Sequence, residues 1–174
     1  MKLTNITIKK ASLDDAPNWA SMLIQFDKET PFTMFQPNER SSDISKYENK
    51  IIDTHKNPKA IILIVIDNTL PKENVVGYLC AEGYKNTRKS HVLSIGMGIL
   101  KSYHSNGLGT LLLTELLKHA RENGIKRIEA HIAESNNHSM NLVKKFGFVL
   151  EGKKNKSILI DNNYQDEYLM ALTY

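Results

Sequence analysis

From residue 60 to residue 100 the chain reads as apolar runs split by short polar breaks, while on either side its apolar residues tend to recur every three or four positions. The first rhythm is that of strands, the second that of helices. Ile61-Ile62-Leu63-Ile64-Val65-Ile66 is a β-branched run that stops at Asp67-Asn68-Thr69-Leu70-Pro71, a turn-rich connector, and predicts a buried central strand. A second strand is expected over Val75 to Tyr84 and a third over His91 to Leu100, joined by the polar reversal Lys85 to Lys89. Three consecutive strands with short links imply an antiparallel meander.

Upstream, Ile6 and Ile8 alternate with polar neighbours as in a first strand. Ser12 with Asp15 three positions on resembles a helix-starting cap ahead of Ala16-Pro17, and the helix is expected to reach about Phe26. Asp27 to Asn38 holds Pro31 and Pro37 with Phe32, Met34 and Phe35 in no clean period, which suits a loop or a broken helix. Ser41 to His55 carries Ile44, Tyr47, Ile51 and Ile52 at helical spacing and predicts an amphipathic helix. Downstream, Leu108, Leu111, Leu112, Leu116 and Ala120 mark one face of a helix that ends at Asn123-Gly124. Ile128, Ala130 and Ile132 then alternate with charged neighbours as in a half-buried strand, Ser139 to Lys145 suits a short helix, and strands are expected from Phe148 and around Tyr168, Met170 and Leu172. The pattern is that of an α/β (α+β) fold, a mixed and mostly antiparallel sheet flanked by helices, with residues 1–174 expected to form a single domain.

Composition narrows the function classes. Hydrophobic residues at 41% and charged residues at 24% describe an ordinary globular chain, and the longest apolar run, Ala60 to Ile66, is too short to cross a bilayer. The first residues, Met1 to Ile8, show no apolar leader, so a cytoplasmic location and no membrane partner are expected. Cys80 is the single cysteine, which forbids an internal disulfide; its strand-like setting suits a small buried thiol rather than a nucleophile. The formal charge of +4 is spread along the chain and suits an anionic ligand, while the basic cluster Lys153-Lys154-Asn155-Lys156 reads as a solvated turn. No tract of cations interleaved with aromatics marks a nucleic-acid partner.

The chemistry concentrates in Ile99-Leu100-Lys101-Ser102-Tyr103-His104-Ser105-Asn106-Gly107-Leu108-Gly109-Thr110, a strand passing through a glycine-bearing turn into a leucine-rich helix. Glycines let backbone approach a ligand, and the first free amides of a helix form an anion site, an arrangement that suits a pyrophosphate. A dinucleotide fingerprint would need a glycine where Leu112 stands. A phosphate loop at Gly147 to Lys153 would need Ser or Thr where Lys154 stands, and would lead from strand to helix rather than the reverse.

The segment is similar to the first acyl-CoA motif of the GNAT acetyltransferase family, with His104, Gly107 and Gly109 in the places of Arg or Gln, Gly, and Gly or Ala. Asn136, Ser139-Met140, Leu142 and Lys144-Lys145-Phe146-Gly147-Phe148 resemble the family's second motif, in the right order. The resemblance spans roughly residues 60 to 174, with Val76-Gly77-Tyr78 and Tyr164 to Glu167 like its flanking strands; Glu29-Thr30 and Glu39 resemble one subgroup's substrate-side loop, and Glu29, Glu39 and Asp43 are acids able to attract a cationic amine, although exposed acids are ordinarily just solvated. It implies acetyl-CoA as co-substrate, an amine acceptor that is a small molecule or a peptide, and an acetyl group passed by direct attack in a ternary complex. Family members pair through various edges, which leaves a homodimer open.

By the same resemblance Ile99, His104, Ser105, Asn106, Gly107, Leu108, Gly109, Thr110 and Asn136 are the expected cofactor-binding positions, with a main-chain amide near Ile99 meeting the thioester oxygen. An amine with a pKa near ~10.4 must lose a proton before it attacks, and the candidate bases are Glu82 first, then His91 and Tyr84. The family's usual tyrosine acid falls at Val143, so another acid, water or Tyr164 would serve the leaving thiolate. That same departure motivates the alternative of a non-catalytic acyl-CoA-binding or sensing module.

Overall fold

The computed structural model describes residues 5–72 and 74–174. The reading of Met1 to Thr4 as part of a leaderless start lies outside the described residues. Strand β1 is Ile6–Lys10, helix α1 Ala16–Glu29, helix α2 Ile44–His55, and strands β2, β3 and β4 are Ile61–Asp67, Val75–Gly83 and Val92–Ile99. Helix α3 (Leu108–Glu122), β5 (Arg127–Ala133), α4 (Asn137–Lys145), β6 (Val149–Ile160) and β7 (Asn163–Thr173) complete the chain. One sheet runs in the order β1-β2-β3-β4-β5-β7-β6. Only β4 and β5 are parallel, because α3 carries the chain back across the sheet between them; the other neighbours are antiparallel.

The unbroken apolar run of β2 is explained by helices on both faces. Ile61, Leu63 and Val65 pack into a cluster with Leu112, Leu113 and Leu116 of α3, while Ile62, Ile64 and Ile66 pack into a second cluster with Trp19 and Leu23 of α1 and Ile51 of α2. Side chains alternate faces along a strand, so the doubly covered run from Ile61 to Ile66 is apolar throughout, and the polar Asp67 comes only at its end.

Several boundaries differ from the sequence expectation for local reasons. Helix α1 runs three residues past Phe26 to Glu29, and Thr30 then turns extended (φ −144°, ψ 140°) because the ring of Pro31 disfavours helical backbone before it. The stretch between α1 and α2 is loop rather than broken helix, and α2 starts at Ile44, later than Ser41, where the Asp43 carboxylate accepts the Ser45 amide as a cap. Helix α4 begins two residues before Ser139, capped by the Asn136 side chain. On α3 the buried stripe includes Leu113, while Leu111 is 40% exposed.

Candidate active site

A cleft of about 660 Å³ opens where the C-terminal end of β4 meets the first turns of α3 and α4 and the C-terminus of α1. Its floor is set by how β4 is paired. The Leu100 amide donates to the Val76 carbonyl on the β3 side, and the His91 carbonyl accepts the Lys126 amide on the β5 side. Main-chain groups alternate sides along a strand, so the odd-numbered residues of β4 address β5. Pairing with β5 nevertheless stops at Ile95 and Ala130, while β4 runs on to Ile99. The amides of Met97 and Ile99 therefore face a gap, and the Ile99 carbonyl accepts His104 Nε2–H at 2.8 Å.

The turn beyond β4 forms the basic end of the cleft. Gly107 closes it at φ +77°, a left-handed conformation costly for any side chain, and no atom lies within 4 Å of where its Cβ would stand. The Leu111 amide is the first to bond back into α3, which leaves the amides of Leu108, Gly109 and Thr110 pointing out at the positive end of the helix. Gly109 lies so close to α4 that a Cβ would stand 2.8 Å from Leu142. Lys101, Lys145 and the stacked rings of His104 and His138, 6.0 Å apart, add basic groups. Open space at Gly107, free amides and a free strand edge fit an anionic, extended ligand that pairs with backbone.

The wall toward α1, which meets the start of that turn at Lys101, is apolar with one acid. Phe26, Pro31, Phe32 and Glu29 line it, and Glu29 is the one carboxylate among the described lining residues. The Lys101 amide donates to Glu29 Oε2 at 2.6 Å, and Gln25 Nε2 donates to Oε1 at 2.8 Å. The loop after α1 is pinned by Arg40, whose guanidinium forks onto Asp27, with Nη2 to Oδ1 at 2.9 Å and Asp27 only 2% exposed.

Of the residues expected to bind cofactor, Ile99, His104, Ser105, Gly107, Leu108, Gly109, Thr110 and Asn136 line the cleft. Asn106 instead braces the turn, donating to the carbonyls of Tyr103 and His104. The expected catalytic groups stand elsewhere. Glu82 faces solvent opposite Ser94, five residues down β4 from Ile99 or about 17 Å at ~3.3 Å per residue, and is tied to Lys50 at 2.6 Å. His91 is exposed just before the far end of β4, Tyr84 just past the far end of β3, and Tyr164 is 70% exposed at the tip of the β6–β7 hairpin. Val143 is 3% exposed in the core and does not line the cleft. Phe26, Phe32, Met97, Lys101 and His138 enter the site without having been singled out for binding or catalysis, whereas Glu29, one of the acids read in the sequence as able to attract a cationic amine, does line the cleft.

The sequence pattern of the acetyltransferase (GNAT) family matches residues 22–148, a stretch that contains both the free edge of β4 and the turn into α3. The chain belongs to the GNAT family. An L-amino acid N-acetyltransferase, AaaT, from Escherichia coli K12 is 30% identical over 100 residues, 56% of this chain and 61% of that protein, so the match spans under two thirds of the relative. A GNAT acetyltransferase structure from Streptococcus pneumoniae superposes with a TM-score of 0.88 at 25% identity, covering 97% of this chain and 98% of that one. An acetyltransferase structure from Salmonella typhimurium with its cofactor acetyl-CoA superposes at 0.84 with 19% identity, covering 98% and 94%. The mixed, mostly antiparallel sheet flanked by helices matches that of these GNAT structures.

Proposed function

We propose that this GNAT protein is an acetyl-CoA-dependent N-acetyltransferase that passes an acetyl group to a primary amine, with residues 1–174 working as one domain in the cytoplasm. The observation that carries this reading is the joining of three features in one cleft: free helix amides at the start of α3, free strand amides at the end of β4, and an acid among apolar walls on the α1 side. The first suits the phosphates of acetyl-CoA, with Gly107 leaving room for close backbone approach and Lys101 and Lys145 adding charge. The free edge of β4 suits its amide-bearing arm, and the unpaired N–H of Met97 or Ile99 supports a role there in receiving the oxygen on which charge develops. Bound there, acetyl-CoA supplies the acetyl group as a thioester.

The gap beyond Ile95 passes through the sheet. Met97 and Ile99 pack toward the α3 and α4 side, whereas a side chain on Gly98 would run into Phe26 of α1 on the opposite face. Donor and acceptor therefore approach from opposite faces and meet at the edge of β4. The name of the E. coli relative favours an amine as acceptor.

Calorimetry with acetyl-CoA, followed by thiol release with a panel of amines, amino acids and short peptides, tests the reading. Binding with turnover on an amine is the expected result. Binding without turnover on any acceptor would favour a sensing module, and no binding would overturn the reading.

A further inference from the structure

We propose that the acceptor is a primary amine with an apolar substituent and no second positive charge, and that Glu29 is the group that holds its ammonium. This rests on the N-acetyltransferase reading and deepens it. Glu29 is the last residue of α1 and lies beside the start of the turn that follows β4, because its Oε2 accepts the Lys101 amide at 2.6 Å. Gln25 steadies the other oxygen at 2.8 Å. A carboxylate oxygen accepts at more than one lone pair, so each keeps capacity for an N–H from a ligand.

The walls beside Glu29 set the rest of the acceptor. The Phe26 ring presses on β4 at Gly98, where a Cβ would stand 2.5 Å from it, and so lies next to the free amides of Met97 and Ile99. Pro31 and Phe32 form a second apolar wall on the loop that Arg40 pins to Asp27. The other acids of α1 and the loop after it are engaged elsewhere: Asp27 with Arg40, and Glu39 with the Gln36 amide. A polyamine or a lysine side would bring a second cation to a region that offers one acid and two phenyl rings. Burying a charge without a partner is costly, whereas an apolar group gains from contact with the rings.

In the transfer, the amine nitrogen bonds to the thioester carbon as the carbon–sulfur bond breaks. Of the three ammonium protons one stays on the amide, one ends on the leaving thiol and one goes to solvent.

The test compares 2-phenylethylamine with spermidine and lysine, in turnover and in calorimetric binding to the CoA-loaded protein. The aromatic amine is expected to win by about tenfold or more in kcat/KM and in binding. Glu29→Gln is expected to weaken that amine by about tenfold or more and Glu29→Asp to recover part of it, while acetyl-CoA binding stays unchanged. Phe32→Ala should narrow the preference over spermidine. A preference for spermidine or lysine, or a Glu29→Gln variant that handles the aromatic amine like the parent, overturns the proposal. If no amine is acetylated, the N-acetyltransferase reading falls, and Glu29-dependent binding of the aromatic amine still decides the ligand class.

Discussion

Gly98 shows how much of the site rests on one missing side chain. A Cβ there would stand 2.5 Å from the Phe26 ring and 2.9 Å from Tyr78, distances that only displacement of the rings relieves. The Gly98→Ala variant is expected to lose about 1 to 3 kcal/mol of stability in a denaturant titration, the usual cost of overfilling a packed region. On the proposed reading it should also lower acceptor kcat/KM more than acetyl-CoA affinity, because Phe26 lines the part of the cleft assigned to the acceptor. Unchanged acceptor kinetics would mean that the Phe26 wall does not touch the acceptor. Glu82 teaches the converse lesson: it stands on a strand next to β4, but at the wrong end of it, with Lys50 as its partner.

Between elements, the contact that places the cleft's turn is Tyr103 on Asp67. The Tyr103 hydroxyl donates to Asp67 Oδ2 at 2.8 Å, and the Thr69 amide and hydroxyl donate to Oδ1, so the end of β2 clasps the turn that leads into α3. Burial first, and the bond to Asp67 second, push the Tyr103 phenol up to about 12, which keeps it a donor at all ordinary pH. Thr69 first, then Tyr103, hold the Asp67 carboxyl below its ordinary range. A carboxyl depressed in the folded state stabilises fully above its unfolded pKa, near ~3.9, and loses that contribution as pH falls through the lower folded value. The stability difference between the parent and Asp67→Asn should therefore hold from neutral pH down to about 4 and close only in stronger acid, as urea titrations at stepped pH would read. The same variant is expected to weaken acetyl-CoA binding about tenfold with a smaller change in kcat, the loss of one charge-assisted bond. A flat difference across the acid range, or unchanged binding, would leave the clasp without that role.

At the scale of the molecule, the elements were largely legible in the sequence because each is written in a local period: the doubly covered run of β2, the alternation of β5, the leucine stripe of α3. The turn from Lys101 to Thr110 was legible too, since its glycines and helix start are contiguous. What escaped depends on pairing across distance. The gap beyond Ile95 exists because β5 stops pairing there, and β7 lies between β5 and β6, neither of which any single segment encodes. Glu29 was legible as a candidate acid, but its contact with Lys101 spans 72 residues and appears only once α1 is docked on the sheet.

That docking also settles the fate of Cys80, the single thiol of the chain, which faces the α1 and α2 layer at 9% exposure. Burial above all pushes it up to about 12, so the thiolate needed for thioester exchange is scarce and walled off. A sulfur relay, in which the protein first takes the acetyl group onto cysteine and later hands it on, has no carrier here. Acetyl-CoA alone should leave the intact mass of the protein unchanged, with no hydroxylamine-labile acetyl group, and a stable thioester adduct on Cys80 would contradict the packing around it. On the proposed reading, acceptor and donor then have to be on the protein together, and Cys80 keeps nothing stored for an amine that arrives late.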